Sequence, residues 1–352
     1  MGKESIIGIV TGILLGIMIT LAGGLILYIQ LLPDKEVPLT EAPLEEPLIP
    51  QEEDPGTGEL EEETDPPTAQ EKFDLQDLSL GMSLQQVTDI MDQPTEIVTS
   101  EYGFDWYLYA NDYQQYLQVG IDNQEVFAFY NNSAAYLMEK DLIGLTKNQA
   151  RERYGTPEEY ILKGNTMYYF TAPEAADRFL QSGEYLVLFY DQHDNHKIHG
   201  VMKISEKTEK NLPGFHGNLS DPVREGHEKQ IFHLNNAFRA MQGLPPFTWH
   251  EVAASAARKH SRDMAANVYF SHTNQQGMDP AERLTREGLT WQQYGENIAQ
   301  GPNAIFANNG WINSLGHRQN MLGNTTHLGV GSAYLLNSDK GVYHTQKFVT
   351  PR

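Results

Sequence analysis

Residues 294–301 read Tyr-Gly-Glu-Asn-Ile-Ala-Gln-Gly, YGENIAQG. Glu296 is the one carboxylate in the stretch, between Gly295 and Asn297 and ahead of Ile298, Ala299 and Gly301. The glycines and the asparagine read as a loop. An acid with such neighbours is either a solvated loop acid or a group aimed into a pocket. In the second case Gly295 lets the backbone bend toward the site, and Ile298 anchors the loop in the core.

The sequence around it, from 221 to 352, runs helices first and strands last. Asp221 and Pro222 have the form of an N-cap and first-turn proline, opening a helix to about Gln242 that stops at Gly243. LPPFTWHE leads into a second helix, whose apolar stripe is Val252, Ala256, Ala257, His260, Met264 and Ala265. Asp279, Pro280 and Glu282 form a capped start for a third. A fourth spans about Asn303 to Leu315 and ends at Gly316. LGVGSAYLL and GVYHTQKFV read as two closing strands.

The rest of the 352 residues divides sharply. No charge occurs between Glu4 and Asp34, and Ile6–Leu32 is a continuous apolar run. A bilayer core needs about 20 such residues in a helix, and a cleaved signal has a shorter apolar core, about 7–15 residues. Residues 1–33 are therefore expected to be an uncleaved transmembrane anchor, with Lys3 on the cytoplasmic side and the bulk extracytoplasmic. Gly8, Gly12 and Gly16 repeat every fourth residue, a small-residue stripe suited to pairing two such helices into a homodimer. Residues 34–74 hold fifteen Asp or Glu against two Lys, −13 of the net −22, with seven prolines. Like charge and low hydrophobicity make this a disordered, extended linker. That acidity excludes a nucleic-acid partner, which needs basic patches. The absence of cysteine excludes a disulfide scaffold, a thiol nucleophile and a thiolate zinc site.

Residues 75–212 carry an internal duplication. LGMSLQQVTDIMDQPTEI from Leu80 matches IGLTKNQARERYGTPEEY from Ile143, with identical spacing from Gly81 to Pro94 and from Gly144 to Pro157. Ser83 and Thr146 cap a short helix in each copy, and the proline stops it. Strand-like runs follow: WYLYA, YLQVGID and EVFAFYN in the first copy, MYYFTA, YLVLFYD and HGVMKI in the second. Each copy is thus expected to be a helix plus a small antiparallel meander. DQHDNHKIH places His193, His196 and His199 three apart, but between two strand runs it reads as a hairpin loop rather than a metal cluster.

RAMQGLPPFTWH, ARKHSRDMA, YFSHT, GENIA, GWINSLGHRQNML, LGVG and YHTQKF occur in that order. This series resembles the CAP superfamily of cysteine-rich secretory proteins, antigen 5 and pathogenesis-related proteins, in its cysteine-free bacterial branch. The duplicated region resembles the CAP-associated N-terminal domain. The resemblance implies an α+β chain whose residues 221–352 form a three-layer α-β-α sandwich with a central cleft. It puts the two cleft histidines on His272 and His317 and the first cleft glutamate on Glu296. Where the second glutamate belongs, this sequence has Ser314.

Two imidazoles and a carboxylate converging from distant segments offer zinc three ligands and leave one position for water. Without metal, Glu296 can orient a histidine as general base, with Ser314 as nucleophile or hydrogen-bond donor. The plainer reading is a His–Glu pair that holds segments together. By the same reasoning Asn297 bonds loop backbone, Arg318 meets a local acid, and Trp249, Trp311 and His260 are core, while His327 and His344 have no assigned task. The leading expectation is a membrane-anchored extracytoplasmic protein that binds a lipid, peptide or cell-wall fragment in this cleft. The alternatives are a zinc hydrolase acting on peptide or cell wall, and an adaptor that docks a partner through the duplicated domain.

Overall fold

A computed structural model describes residues 78–132, 142–169, 172–335 and 341–352. The expected anchor, with Gly8, Gly12 and Gly16, and the acidic linker lie outside the described residues. No described helix is long and apolar enough to cross a membrane.

The duplicated region opens with α1 (Leu84–Met91), then β1 (Glu96–Thr99), β2 (Asp105–Tyr109), β3 (Leu117–Asp122) and β4 (Glu125–Asn131). Its second copy opens with α2 (Lys147–Tyr154), then β5 (Tyr160–Lys163), β6 (Thr166–Tyr169), β7 (Ala176–Gln181), β8 (Glu184–Asp191) and β9 (Lys197–Ser205). Both helices start at a full capping box, Ser83 with Gln86 and Thr146 with Gln149. Before each cap a glycine has positive φ, Gly81 at 84° and Gly144 at 93°. Each donates its N–H to the matching strand, Gly81 to the Val126 carbonyl at 2.8 Å and Gly144 to that of Ile198 at 2.9 Å. The repeat seen in sequence is thus a repeat of structure.

The two copies do not form separate meanders. They merge into one antiparallel sheet, β1-β2-β3-β4-β9-β8-β7, joined where β4 pairs with β9. Thr166–Tyr169, which takes in the MYY of the second copy's MYYFTA run, pairs instead with the residues just before it, across the Gly164-Asn165 turn, as the detached hairpin β5-β6. Ala176–Gln181, unnoticed in the sequence, takes the sheet edge as β7. Its ADRFLQ pattern is too polar to show the usual alternation.

After α3 (Glu206–Asn211), the C-terminal domain comprises α4 (Asp221–Met241), β10 (Thr248–Trp249), α5 (Glu251–Asn267), α6 (Pro280–Arg286), β11 (Trp291–Gly301), α7 (Ala304–Asn313), α8 (Leu315–Met321), β12 (His327–Tyr334) and β13 (Val342–Pro351). Its sheet runs β10-β12-β13-β11. Helices α4 and α7 cover one face, α5 and α6 the other, so the α-β-α sandwich is present. Four local expectations need correction. Ser220, not Asp221, caps α4, its side chain accepting from Val223 N. YGENIAQG is not a loop but the last eight residues of β11, an 11-residue strand bonded along β13. The fourth helix ends at Asn313, and Ser314 starts a further helix, α8, that includes Gly316. Val252 is exposed; Ala253 and Ala254 turn inward instead.

Strand alternation builds the interior. In β8, Leu186, Leu188 and Tyr190 face α1 and α2, while Val187 and Phe189 face the other way. That second face packs on α4 and α7 through Ile231, Leu234, Phe238 and Trp311, and the same cluster continues to Leu328 and Phe348 of the second sheet. The layers therefore stack helix, sheet, helix, sheet, helix, with α4 and α7 shared between the two sheets.

Candidate functional site

Glu296 lies at the centre of β11, directly opposite Lys347 of β13. A strand turns alternate side chains to opposite faces. Glu296 therefore enters the α5/α6 side and Asn297 the α7/α8 side. Glu296 is 1% exposed and fully engaged. Arg283 of α6 reaches its oxygens with Nη2 at 2.8 and 2.9 Å, Lys347 Nζ lies at 2.6 Å, and His272 Nδ1 at 2.9 Å. His260 Nε2 is 4.0 Å away and donates to the Ser271 carbonyl at 3.0 Å.

The electrostatics follow from that crowd. Burial alone raises the Glu296 carboxyl, but Lys347, His272 and Arg283 together outweigh it and hold it well below the usual range. Burial pushes Lys347 down to about 8 against the pull of Glu296, which leaves it charged at neutral pH. An ionised Glu296 accepts from His272 Nδ1, so the tautomer it selects for a neutral His272 ring has Nε2 as the acceptor.

The other half of the site comes from the opposite face of the sheet. Asn297 Nδ2 donates to the His317 carbonyl at 3.0 Å and to Gln346 at 2.9 Å. Asn320 Nδ2 donates to the Glu296 carbonyl and to Asn297 Oδ1. These amides fix α8 against β11. Ser314 is the N-cap of α8 by position, but its side chain makes no capping bond.

His272, Glu296, Ser314 and His317 all line one cavity of about 750 Å³. The duplicated domain supplies the facing wall, including Tyr102, Ile161, Tyr168, Arg178 and Phe215. Polar contacts seal the domains together beside it. Asn313 accepts from Gln192 N at 2.8 Å and donates to the Tyr190 carbonyl at 2.9 Å. His199 meets Asn309 at 2.8 Å, and His193 meets the Asn313 carbonyl. DQHDNHKIH is thus a hairpin turn, and it docks on α7. Arg318 pairs at 2.9 Å with Asp191, an acid of the other domain rather than a local one. Trp311 is core, as expected, and its Nε1 donates to the Ile298 carbonyl.

The zinc set His272, His317 and Glu296 does not fit this geometry. Arg283 and Lys347 already hold the carboxylate oxygens, and a divalent cation there would meet two positive charges. Among the described residues, no group of three or more His, Asp or Glu is placed to hold a metal ion.

Sequence reading missed Arg283 and Lys347. Lys347 had left a signal: a lysine inside YHTQKFV, a strand run with no exposed face, requires a buried counter-charge. Arg283 had none, because α6 is only seven residues long.

His260 supplies a pH test. Burial pushes its pKa to about 4, despite Glu296, while Arg283 and Lys347 add to the lowering. A histidine neutral in the fold is protonated first in the unfolded chain. Its contribution is therefore present above about pH 6.5 and is lost as pH falls toward 4. At ~1.4 kcal/mol per pH unit, that is on the order of 3 kcal/mol. Urea unfolding of wild type and His260→Gln at pH 7 and pH 4.5 is expected to show the larger acid loss in wild type. Equal losses would show that His260 does not carry the effect.

Comparisons with known proteins agree with this architecture. The model of the cysteine-rich secretory protein family, CAP, matches residues 232–348, and that of the CAP-associated N-terminal domain matches residues 80–215. A Bacillus subtilis protein described as the uncharacterized membrane protein YlbC is 30% identical over 295 residues, 77% of this chain and 82% of that protein. The uncharacterized protein YkwD of the same species is 36% identical over 127 residues, 35% of this chain and 47% of its own length. An extracellular protein containing an SCP domain from Bacillus anthracis superposes with a TM-score of 0.68 at 26% identity, over 82% of this chain and 99% of that one. A cysteine-rich secretory protein from Staphylococcus aureus superposes at 0.63 over 77% and 91%, and at 14% identity it speaks for the fold alone.

Proposed function

The chain belongs to the cysteine-rich secretory protein (CAP) family, and on that premise we propose that it is a membrane-tethered, extracytoplasmic receptor for a small or extended ligand. The ligand occupies the cavity between the two domains. One observation carries this reading: His272, His317 and Ser314 open into a cavity of about 750 Å³ that the duplicated domain helps to enclose. That volume lies within the range of small-molecule sites, about 300–1,000 Å³.

Within it, His272 presents Nε2 as an acceptor to a ligand hydroxyl or amide. Glu296 holds that tautomer without touching the ligand's charge, because Arg283 and Lys347 neutralise it. The hydrolase alternative keeps one supporting observation, the His272–Glu296 pair, which has the form of an oriented general base. The buried cations beside Glu296 weaken it, since Arg283 and Lys347 already pair with the carboxylate that would balance a charged imidazole. The adaptor alternative draws support from the seal at Asn313, but the same seal closes the cavity wall.

Native mass spectrometry of whatever co-purifies with the full chain tests the reading. Removing both ring nitrogens, His272→Ala with His317→Ala, is expected to weaken retention at least about tenfold, the worth of one or two lost hydrogen bonds. His327→Ala, which lies outside the cavity lining, is expected to retain the wild-type load. Equal retention by all three proteins would place the ligand elsewhere.

A further inference from the structure

The β5-β6 hairpin stands apart from both sheets, and its two faces differ. Direct cross-strand pairing sets Tyr160 opposite Tyr169 and Leu162 opposite Met167. Alternation puts these four on one face, with Ile161 and Tyr168 on the other. The inner pair lines the cavity, where Tyr168 stacks on Phe215 at 6.2 Å, and Tyr169 of the outer face contributes to the lining as well. The outer four are among the most exposed large apolar side chains described, at 38%, 44%, 48% and 45% in the order Tyr160, Tyr169, Leu162, Met167. A contiguous exposed patch of this kind marks a contact surface.

We propose that this outer face docks on a lipid surface, so that the hairpin seats the mouth of the interdomain cavity against the bilayer. The proposal rests on the tethered reading above and adds to it a membrane contact made by the folded body itself. Two observations select lipid as the occupant. The first is the order of residues along the hairpin. Leu162 and Met167 lie beside the Gly164-Asn165 tip, and the two tyrosines lie one pair farther back, with rings 5.6 Å apart. Aliphatic groups leading and tyrosines following suits an element entering from water, because tyrosine prefers the headgroup level. The one cation of the tip, Lys163, is tied back to Glu209 at 3.1 Å, so the tip offers apolar surface rather than charge.

The second is the chain outside the described residues. It carries the uncharged run Ile6–Leu32 and then the acidic segment 34–74. A linker of that length spans on the order of 40 Å. A four-residue patch binds lipid weakly by itself, but a tether of that reach makes the contact intramolecular and effective.

The absence of cysteine gives a clean probe. The full chain carrying Met167→Cys or, as a control on α5, Lys259→Cys is labelled with an environment-sensitive dye and reconstituted in phosphatidylcholine vesicles. The expected result is a blue-shifted, brighter emission at 167 that spin-labelled lipid quenches, with neither change at 259. Adding Leu162→Ser and Tyr169→Ser is expected to abolish the shift at 167. Three results overturn the proposal. Emission at 167 as wet as at 259 shows no contact. A blue shift that lipid-borne quencher does not reach, and that grows with protein density, shows a second copy on the face. A chain that fails to float with the vesicles removes the tether and the docking together, whereas a chain that floats with a wet hairpin leaves the tether standing.

Discussion

Replacing Glu296 by glutamine is expected to cost about 3–5 kcal/mol of stability, the usual penalty for breaking a buried ion pair from one side. The carboxylate is 1% exposed, and Arg283 and Lys347 have no other described acid within ion-pair reach of their charged groups. Removing the negative charge leaves two cations beside each other in the interior. Adding Lys347→Met to Glu296→Gln takes away one of them, so the double variant is expected to recover a large part of the loss. That non-additivity is the signature of residues acting as one unit. The ion pair is also expected to outlast the His260 effect in acid. A carboxyl held well below 4.5 contributes above that pH and is lost only as pH falls through its lowered value, whereas the His260 loss begins near 6.5. Urea unfolding of the single and double variants decides the matter. A cost below about 1 kcal/mol for Glu296→Gln would mean that water reaches the site and that the cluster is not a structural keystone.

Gly331→Ala is expected to be as damaging, for a steric reason. A Cβ at this position in β12 would lie 1.9 Å from the backbone nitrogen of Arg258 and 2.4 Å from the Ala257 carbonyl carbon. Those atoms belong to α5, and backbone in a helix does not swing aside as a side chain can. At Gly329, two residues earlier on the same face, the added Cβ would lie 2.2 Å from the Ala254 nitrogen. The LGVG motif is thus the groove into which α5 settles, and filling it forces the helix off the sheet. The loss is expected to reach the severe end of single-residue effects, beyond about 4 kcal/mol, with most of the protein unfolded on expression. Gly310→Ala is the matched control. It lies in α7 with nothing within 4 Å of the added Cβ, so a neutral or slightly stabilising change is expected, up to about 1 kcal/mol. Equal thermal transitions for the two variants would contradict the close helix–sheet approach.

The sequence disclosed those features that local chemistry determines. Ser83 and Thr146 cap their helices because a hydroxyl, a short helix and a closing proline lie within a dozen residues. His272, Glu296 and His317 stand out through ordered motifs, and all three line one cavity. What stayed hidden depends on partners far apart in the chain. YGENIAQG looks like a loop because of its glycines, yet it is a strand because β13 supplies its hydrogen bonds and Lys347 its counter-charge. Arg318 finds Asp191 across the domain boundary, where no local pattern could point. Likewise buried polar side chains of α4 find partners in the other domain, Gln230 meeting Gln118 of β3 and His227 meeting Glu101 of the β1–β2 turn. A domain wall contributed by the duplicated region cannot be read from either domain's sequence taken singly.

The proposed ligand site is built by two domains. A crystal structure of residues 75–352, purified without chelator or detergent exchange, is searched for difference density in the cavity. An elongated organic molecule is expected in reach of His272 and His317 on one side and of Tyr168 or Phe215 on the other. A cation seated on Glu296, with Arg283 and Lys347 swung away, would contradict it.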